Sequence, residues 1–351
     1  MKYKKNTLEA VDLLKRLIAV PSPSRDEKGA ADVVELFLNE KGYNTHRLGN
    51  NVWIFSDGFD ENRRTILLDA HLDTVKPVSG WTHDPFTPEL TEDGRLFGLG
   101  SNDDGGSLVA LMQVFFIKNK DANRDFNLIF LASAEEEVSG KNGIEAVLPE
   151  LPHIDFCVAG EPTGMQPAIA EKGLMVIDGI AHGKAGHAAR NEGVNAIYIA
   201  LKDIDWIQQH RYERQTDLLG PVKQTVTVIN AGTQHNVVPD ECRFTIDVRS
   251  NECYSNKELF DEIDRNTESE LKARSFRLNS SRLAADHPFV VGAKELGLTP
   301  FGSPTLSNQA LMNFPSVKMG PGDSARSHTA DEFIYINEID DAIDIYCKLI
   351  K

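Results

Sequence analysis

Imidazole and carboxylate side chains recur in this sequence at the points where predicted strands or glycine-rich turns end. His71 and Asp73 form the first pair, at the end of the apolar segment that begins at Thr65. Because strand residues two positions apart share a face, both side chains can point into the crevice in which open α/β sheets bind ligands. A histidine that binds a metal ion through one ring nitrogen is often oriented by a carboxylate at the other. Taken alone, this pair is more typical of a solvated loop.

The same residue types recur at four more places downstream. They are Asp103 in the glycine-rich turn 98–106, Glu136 and Glu137 among three consecutive glutamates, Glu161 before Pro162, and His328 in the loop 320–328. Each has an ordinary interpretation as a turn residue or a solvated surface acid. Their joint occurrence at successive strand ends instead favours a dinuclear zinc site. Such a site needs two histidines, two terminal carboxylates, one bridging carboxylate and a spare carboxylate as base.

The elements that must position these residues alternate between strand and helix in the first part of the chain, which indicates α/β layers. The order of the predicted elements then changes to β-α-β-β-α-β, which is typical of a ferredoxin-like unit. Its predicted strands are 174–180, 224–229, 243–249 and 275–281, and its predicted helices are 193–209 and 255–268. We therefore predict a catalytic domain at 1–173, an inserted ferredoxin-like domain at 174–284, and the second part of the catalytic domain at 285–351.

Composition and charge restrict the class of protein. The chain has 351 residues, a formal net charge of −16 and 41% hydrophobic residues. These values suit a two-domain globular protein and make nucleic acid and anionic membranes poor partners. No apolar stretch approaches the roughly 18 residues of a membrane span, and the N-terminal residues lack the features of a signal peptide. The 4 cysteines are scattered without a Cys-x-x-Cys pattern, so we expect a cytoplasmic protein without disulfide bonds.

The order of these motifs resembles the dinuclear zinc amidohydrolases. That family includes acetylornithine deacetylase, succinyl-diaminopimelate desuccinylase, aminoacylase, glutamate carboxypeptidase and several dipeptidases. The resemblance extends through nearly the whole chain, including the segments 183–189, 236–239 and 247–249 of the predicted insert. It implies a mixed sheet flanked by helices, with the ferredoxin-like insert as a lid and dimerisation domain.

The resemblance also implies which residues hold the metal ions. Asp103 would bridge two zinc ions. His71 and Glu161 would complete one zinc site, and Glu137 and His328 would complete the other.

Further residues would perform the chemistry and bind the substrate. Asp73 would orient the first histidine ligand, and Glu136 would act as the general base. His187, with Asn236, would stabilise the oxyanion, and in family dimers this histidine typically comes from the partner subunit. Arg249 would bind the substrate α-carboxylate, a task that suits its planar fork.

Two departures leave alternatives open. The consecutive glutamates leave the register ambiguous, although the segment 138–140 favours Glu136 as the base and Glu137 as the ligand. Asn308, a candidate substrate contact, occupies a position at which many relatives have aspartate. Its role in binding a substrate therefore stays open.

We expect a zinc enzyme with two zinc ions per chain, or cobalt as a substitute, that hydrolyses the amide bond of a small N-acyl amino acid. The segments 320–324 and 330–333 look most like the ornithine and citrulline deacetylase branch. N-acetyl-L-ornithine is therefore the first expected substrate, with N-succinyl-ornithine and N-acetylcitrulline beside it, and arginine biosynthesis is the expected process. The alternatives are a succinyl-diaminopimelate desuccinylase, a metallo-dipeptidase or, in another class, a non-catalytic zinc-binding scaffold.

Overall fold

A computed structural model describes residues 3–351 and divides the chain into two compact units. Unit 1 comprises Met1–Ile169, Leu283–Phe301 and Ser307–Lys351, and unit 2 comprises Ala170–Arg282 and Gly302–Leu306. The domain boundaries predicted from the sequence, after residues 173 and 284, do not include the return of 302–306 to unit 2.

Helices and strands occur throughout the described part of the chain. The helices are α1 (Lys5–Ile18), α2 (Lys28–Glu40), α3 (Gly106–Asn119), α4 (Ile144–Val147), α5 (Ala196–Gln209), α6 (Asn256–Arg265), α7 (Pro288–Glu295) and α8 (Ile336–Leu349). The strands are β1 (His46–Leu48), β2 (Asn51–Phe55), β3 (Thr65–His71), β4 (Glu89–Leu90), β5 (Arg95–Phe97), β6 (Asn127–Ser133), β7 (Phe156–Ala159), β8 (Ala168–Glu171), β9 (Met175–His182), β10 (Gly186–His187), β11 (Lys223–Ala231), β12 (Val237–Val238), β13 (Glu241–Arg249), β14 (Glu270–Ala273), β15 (Ser281–Arg282), β16 (Phe301–Ser303), β17 (Ser316–Lys318) and β18 (Phe333–Tyr335).

The main sheet of unit 1 is mixed, with the strand order β1-β2-β6-β3-β7-β17-β8. Strands β6, β3, β7 and β17 are parallel neighbours, whereas β1, β2 and β8 pair antiparallel. Strands β3 and β6 are buried along their whole length, as expected for parallel strands that are covered on both faces. The carboxyl ends of β3, β6 and β7 therefore meet at one edge of the sheet.

The central helix α3 is buried on all sides. Every residue from Gly106 to Phe116 is buried, because the helix packs against β3 and β6 and also contacts α1 and α8. A helix that is apolar around its whole circumference requires such surroundings. The turn that carries Asp103 directly precedes this helix, so one end of the turn is fixed to the core.

Unit 2 contains an antiparallel sheet with the order β11-β13-β9-β14. Along the chain, its elements follow β-α-β-β-α-β, as in ferredoxin-like units. Ile177 of β9 and Ile246 of β13 are neighbours in the sheet. Both belong to one core cluster with Ala200 of α5 and Leu259 of α6, so the two helices cover the same face. Strands β10 and β12 form a separate short ribbon.

The last strand of this sheet lies earlier in the chain than the sequence pattern predicts. Helix α6 ends at Arg265, and the strand is Glu270–Ala273 rather than 275–281. The buried carboxylate of Asp203 on α5 accepts hydrogen bonds from the N–H groups of Glu268 and Ser269, both at 2.9 Å. This contact fixes a turn directly before β14. The predicted strand 275–281 is wrong, because the residues near the strand do not reveal the contact that Asp203 makes with this turn.

Among residues 3–351, no helix combines the length and the apolar composition that crossing a membrane requires.

Candidate metal centre

His71 is the last residue of β3, and its side chain is buried. Its Nδ1 atom lies 2.8 Å from the backbone oxygen of Asp73, and its Nε2 atom lies 3.2 Å from Oδ1 of Asp103. The Asp73 carboxylate is farther away, with Oδ1 at 3.6 Å from Nδ1. The backbone carbonyl of Asp73 is therefore the direct hydrogen-bond partner that orients the ring.

The carboxylate of Asp73 connects the end of β3 to the acids that follow β6. It accepts hydrogen bonds from the N–H groups of Glu136 at 2.9 Å and Glu137 at 3.1 Å, and from the hydroxyl of Ser24 at 2.7 Å. Burial acts to raise the pKa of Asp73, but the nearby His71 imidazole and these hydrogen bonds outweigh it and lower the pKa below its usual value. Asp73 thus stays charged while it fixes two acidic residues.

The three consecutive glutamates have different surroundings. The Glu135 side chain is buried, and its Oε1 accepts a hydrogen bond from the Asn142 amide at 2.9 Å. Glu137 lies 3.0 Å from Nε2 of His328. Glu136 lies between them in sequence, within the short helical turn Glu136–Val138. The left-handed backbone of Glu135, with φ of 56°, separates the direction of its side chain from those of the two acids that follow.

Asp103 lies in the kinked turn Ser101–Gly105, where its own backbone is extended rather than helical (φ −123°, ψ 97°). The carboxylate of Glu332 accepts three hydrogen bonds from this part of the backbone. The donors are the N–H groups of Gly100 at 3.1 Å, Asn102 at 2.9 Å and Asp103 at 2.9 Å. The position of the Asp103 backbone is therefore set by a distant part of the chain as well as by helix α3.

His328 approaches the same place from the C-terminal part of unit 1. Its Nε2 atom lies 3.0 Å from the Glu137 carboxylate and 3.7 Å from Oδ2 of Asp103. The hydrogen bond with Glu137, together with the surrounding negative charge, raises the pKa of His328 to about 9. The loop is anchored by Arg326, which donates two hydrogen bonds to Glu338 at 2.8 and 3.0 Å.

Two groups of ligand atoms lie close enough together to hold a metal ion. One group is His71, Asp103 and Glu137, the other is His71, Glu136 and Glu161, and within each the atoms lie within 4.8 Å of one another. Imidazole nitrogen and carboxylate oxygen are donors that zinc accepts. Burial and neighbouring carboxylates raise the pKa values of Glu136 and Glu161 well above the usual value. Such a concentration of partly buried carboxylates favours a bound cation, so the residues fit a metal centre.

The structure brings together all five residues that the sequence indicates as ligands, but it groups them differently. Glu136, rather than Asp103, accompanies His71 and Glu161 in one group. In the other group, the histidine beside Asp103 and Glu137 is His71 rather than His328. The division into ligands and base stays a prediction.

Two charged residues near the centre were not among the sequence candidates. Lys318 is buried on β17, and its positive charge opposes the effect of burial on the pKa of Glu161. Glu332 is also buried, and burial, followed by the charge of Asp103, raises its pKa to about 8. A lysine inside an apolar segment is a signal that could have indicated Lys318. No local pattern indicates Glu332, since its contacts are with backbone N–H groups elsewhere in the chain.

Asn308 lies in the short helical turn Asn308–Leu311 and is buried. Its amide nitrogen donates to Oδ2 of Asp69 at 2.9 Å and to Oγ of Ser133 at 3.0 Å. Both partners lie on strands of the main sheet, β3 and β6. The amide group predicted to contact a substrate is thus engaged inside unit 1.

The remaining predicted substrate residues belong to unit 2. His187 on β10 is exposed. The backbone of Asn236 lies close to it, because the N–H of Ala188 donates to the backbone oxygen of Asn236 at 3.0 Å. Arg249 ends β13 and donates to Asp247 at 2.8 and 3.1 Å. The structure therefore brings His187 and Asn236 together. Arg249 lies on the four-stranded antiparallel sheet of unit 2.

Imidazole and carboxylate groups clustered at the strand ends of a mixed α/β fold are typical of metal-dependent hydrolases. Residues 67–351 match Peptidase family M20/M25/M40, and the chain belongs to this family. The expected family and the expected enzyme class are both confirmed.

Curated relatives span nearly the whole chain. A succinyl-diaminopimelate desuccinylase of Cereibacter sphaeroides is 26% identical over 377 residues, covering 98% of this chain and 98% of the relative. Succinyl-diaminopimelate desuccinylase 2 of a Ruegeria species is 23% identical over 384 residues, covering 99% and 95%. A succinyl-diaminopimelate desuccinylase of Paracoccus denitrificans is 28% identical over 322 residues, covering 83% of this chain and 84% of the relative.

Solved structures show the same fold. Aminopeptidase PepT from Bacillus cereus superimposes with a TM-score of 0.78 at 18% identity, covering 98% of both chains. A dinuclear metal-binding peptidase of the M20 family from Bacillus subtilis has a TM-score of 0.75 at 17% identity, covering 98% of this chain and 97% of the other. The predicted α/β fold with a mixed sheet and flanking helices is confirmed.

Proposed function

We propose that this protein uses two zinc ions to hydrolyse the amide bond of an N-acyl amino acid, with N-succinyl-diaminopimelate as the first substrate to test. The observation that carries the catalytic part is the convergence of His71, Asp103, Glu137, Glu136 and Glu161 within two overlapping groups of ligand atoms. The substrate rests on the names of the curated relatives, which favour desuccinylation over the N-acetyl-L-ornithine deacetylation expected from the sequence. Arginine biosynthesis gains no support from them.

The ligand assignment follows the family resemblance. Asp103 would contribute to both ions, His71 and Glu161 would hold one of them, and Glu137 and His328 would hold the other. The approach of His328 to both Glu137 and Asp103 supports the second set. Zinc supplies Lewis-acid chemistry when it is bound, because it polarises a carbonyl group and makes water more acidic.

Glu136 moves the proton. It accepts a proton from the attacking water and delivers it to the nitrogen of the leaving amine. Burial, together with the charges of neighbouring carboxylates, raises its pKa, so this carboxylate takes up a proton more readily than an exposed glutamate does. Asp73 holds the Glu136 backbone in place through a hydrogen bond at 2.9 Å.

The substrate-binding residues come from unit 2. His187 and Asn236 stabilise the negative charge that develops on the carbonyl oxygen, and Arg249 binds the α-carboxylate of the substrate. The protein forms a homodimer through unit 2, and His187 of one subunit contributes to the active site of the other. A cytoplasmic location also stays a prediction.

A substrate comparison tests this function. Purified protein loaded with zinc should hydrolyse N-succinyl-diaminopimelate with a higher kcat/KM than N-acetyl-L-ornithine, N-succinyl-ornithine, N-acetylcitrulline or a dipeptide. A higher kcat/KM for the dipeptide would contradict the proposed substrate and would favour the peptidase alternative. Exhaustive chelation should abolish turnover, and zinc should restore it. Full activity in a verified metal-free sample would contradict the mechanism itself.

Loss of single ligands tests the metal assignment. Asp103→Ala should reduce zinc content at both sites, whereas His71→Ala should empty mainly one. Elemental analysis of the purified variants measures this directly, and equal loss in both variants would contradict the bridging role of Asp103.

A further inference from the structure

One buried carboxylate holds the turn that carries Asp103. The Glu332 side chain is 2% exposed. Its Oε1 accepts the N–H groups of Asn102 and Asp103, both at 2.9 Å, and its Oε2 accepts the N–H of Gly100 at 3.1 Å. Three N–H groups converge on this one side chain, so it fixes the peptide units of Gly100, Asn102 and Asp103.

A second connection joins the same turn to the loop that carries His328. The Asn102 side chain accepts a hydrogen bond from the N–H of Asp323 at 3.0 Å. Its amide nitrogen donates to the backbone oxygen of Asp323 at 3.1 Å and to Oγ of Ser327 at 3.3 Å. Two segments far apart in sequence are thereby tied together, and Glu332 follows shortly after the His328 loop in the chain.

We propose that Glu332 is a positioning residue that holds the Asp103 turn and the His328 loop in a metal-binding arrangement before the ions arrive. This inference rests on the proposed role of Asp103 as the bridging ligand. Glu332 acts through the backbone, since both of its carboxylate oxygens already accept N–H groups. Without it, two ligands on separate segments would have to become ordered as each ion binds, and that ordering opposes binding.

Glu332→Gln is the direct test, because glutamine keeps the size of the side chain and replaces one acceptor oxygen with a donor. Asp331→Asn is the matched control. The Asp331 carboxylate also accepts three hydrogen bonds, from the N–H and hydroxyl of Thr82, both at 2.7 Å, and from the N–H of His83 at 3.0 Å. Asp331 is adjacent to Glu332 in the chain, but its hydrogen bonds fix the segment at Thr82 and His83 instead of the Asp103 turn.

Cobalt titration of the metal-free protein measures the effect, with affinity from competition against a chelator and geometry from the visible absorption spectrum. Glu332→Gln should bind cobalt about 10- to 100-fold more weakly than wild type, the range for lost partners of metal ligands, and should change the spectrum. Asp331→Asn should retain the wild-type affinity and spectrum. Unchanged affinity and spectrum in Glu332→Gln, with only a lower Tm, would overturn the proposal, because a merely structural residue affects stability alone.

Amide hydrogen exchange keeps the proposal testable if Glu332→Gln does not fold. In metal-free wild-type protein, the N–H groups of Asn102 and Asp103 should be protected from exchange, and rapid exchange there would overturn the proposal. Wild-type protein that binds no cobalt would instead contradict the proposed function, and with it the premise about Asp103. The two failures are therefore distinguishable.

Discussion

Among single residues, Asp73 and the consecutive glutamates determine what chemistry the centre can perform. The Asp73 carboxylate accepts hydrogen bonds from the N–H groups of both Glu136 and Glu137. One carboxylate therefore sets the positions of a proposed base and a proposed ligand. Glu135 instead bonds to Asn142. Three residues of one type thus have different backbone conformations and partners, and we propose different roles for them accordingly.

Isosteric replacement of each glutamate separates these functions. Glu136→Gln should lower kcat by about 10²–10⁴-fold, the usual contribution of a general acid–base group, and should leave zinc content near normal. Glu137→Gln should lower zinc content, because an amide is a weaker ligand than a carboxylate. Elemental analysis and steady-state kinetics on the same samples measure both effects.

Glu135→Gln is the control in this series, since its hydrogen bond with Asn142 lies outside the proposed machinery. It should keep wild-type kcat and zinc content, even if its Tm falls. If Glu136→Gln lost zinc while Glu137→Gln kept it, the base and the ligand would have to be exchanged. The structural grouping of Glu136 with His71 and Glu161 makes that outcome informative.

Asn308 and Asp69 form a buried pair in which the side-chain amide of Asn308 is the hydrogen-bond donor. Burial raises the pKa of Asp69 to about 6, and Asn308 donates to it at 2.9 Å. Asn308→Asp would remove that donor and place two carboxylates together. The free energy of unfolding should fall by at least about 1–3 kcal/mol at pH 7, the cost of leaving a buried polar group unpaired. Urea unfolding measures the loss.

Exchanging the two residues provides the control. The double variant Asp69→Asn with Asn308→Asp restores one donor and one acceptor, so it should recover most of the lost stability. A double variant as unstable as the sum of the single changes would contradict the pairing. A kcat/KM close to wild type in the double variant would assign Asn308 to the stability of unit 1 rather than to substrate binding.

Among the elements, the parallel strands explain why the ligand positions could be predicted. His71 ends β3, Glu136 follows β6 and Glu161 follows β7, and these strands are neighbours in the sheet. Apolar runs that end in polar residues are visible in the sequence, and parallel neighbours bring such ends to one edge. The meeting of these side chains therefore required only local patterns and the α/β architecture.

Elements that depend on distant contacts could not be predicted in the same way. Strand β14 was misplaced because the Asp203 side chain fixes the turn before it. Glu332 was missed because its partners are backbone N–H groups, which every segment of chain possesses. The sequence also does not indicate that Asn308 is buried beside Asp69. In each case the decisive partner is remote in sequence.

Helix α7 provides an element whose stability should depend on pH. Nδ1 of His287 accepts the N–H of Phe289 at 3.3 Å at the start of the helix. Burial, followed by the charge of Arg64, lowers the pKa of His287. Below the ordinary histidine pKa of about 6.5, the unfolded chain therefore binds more protons than the folded one. This contribution to stability is present above that pH and is lost as the pH falls through the lower folded-state pKa.

His287→Asn isolates this contribution, because asparagine can accept the same helix-capping hydrogen bond and does not titrate. The free energy of unfolding of wild type, relative to that of the variant, should decrease as the pH falls below 6.5. Denaturant unfolding at a series of pH values measures the difference. Parallel curves for the two proteins would show that His287 titrates alike in the folded and unfolded chain.

For the whole molecule, unit 2 carries the surface on which the proposed dimer depends. Strand β11 pairs only with β13 among the strands that the structure describes, so its other edge is open. Val228 and Ile229 on this strand are 48% and 50% exposed. An open edge with apolar side chains is suited to pairing with another strand, and a second copy of this chain supplies an identical one.

Subunit exchange tests whether His187 acts across such a dimer. His187→Ala should lower kcat by about 10²–10³-fold, as for one lost oxyanion donor, and should leave zinc content unchanged. Glu136→Ala should also be inactive. In a mixed dimer, a histidine that acts in the partner's site leaves one site with both groups intact, so activity should reappear after the two inactive variants exchange subunits. If exchange is verified by mass spectrometry and no activity returns, both groups act within one chain, and the dimeric site is ruled out.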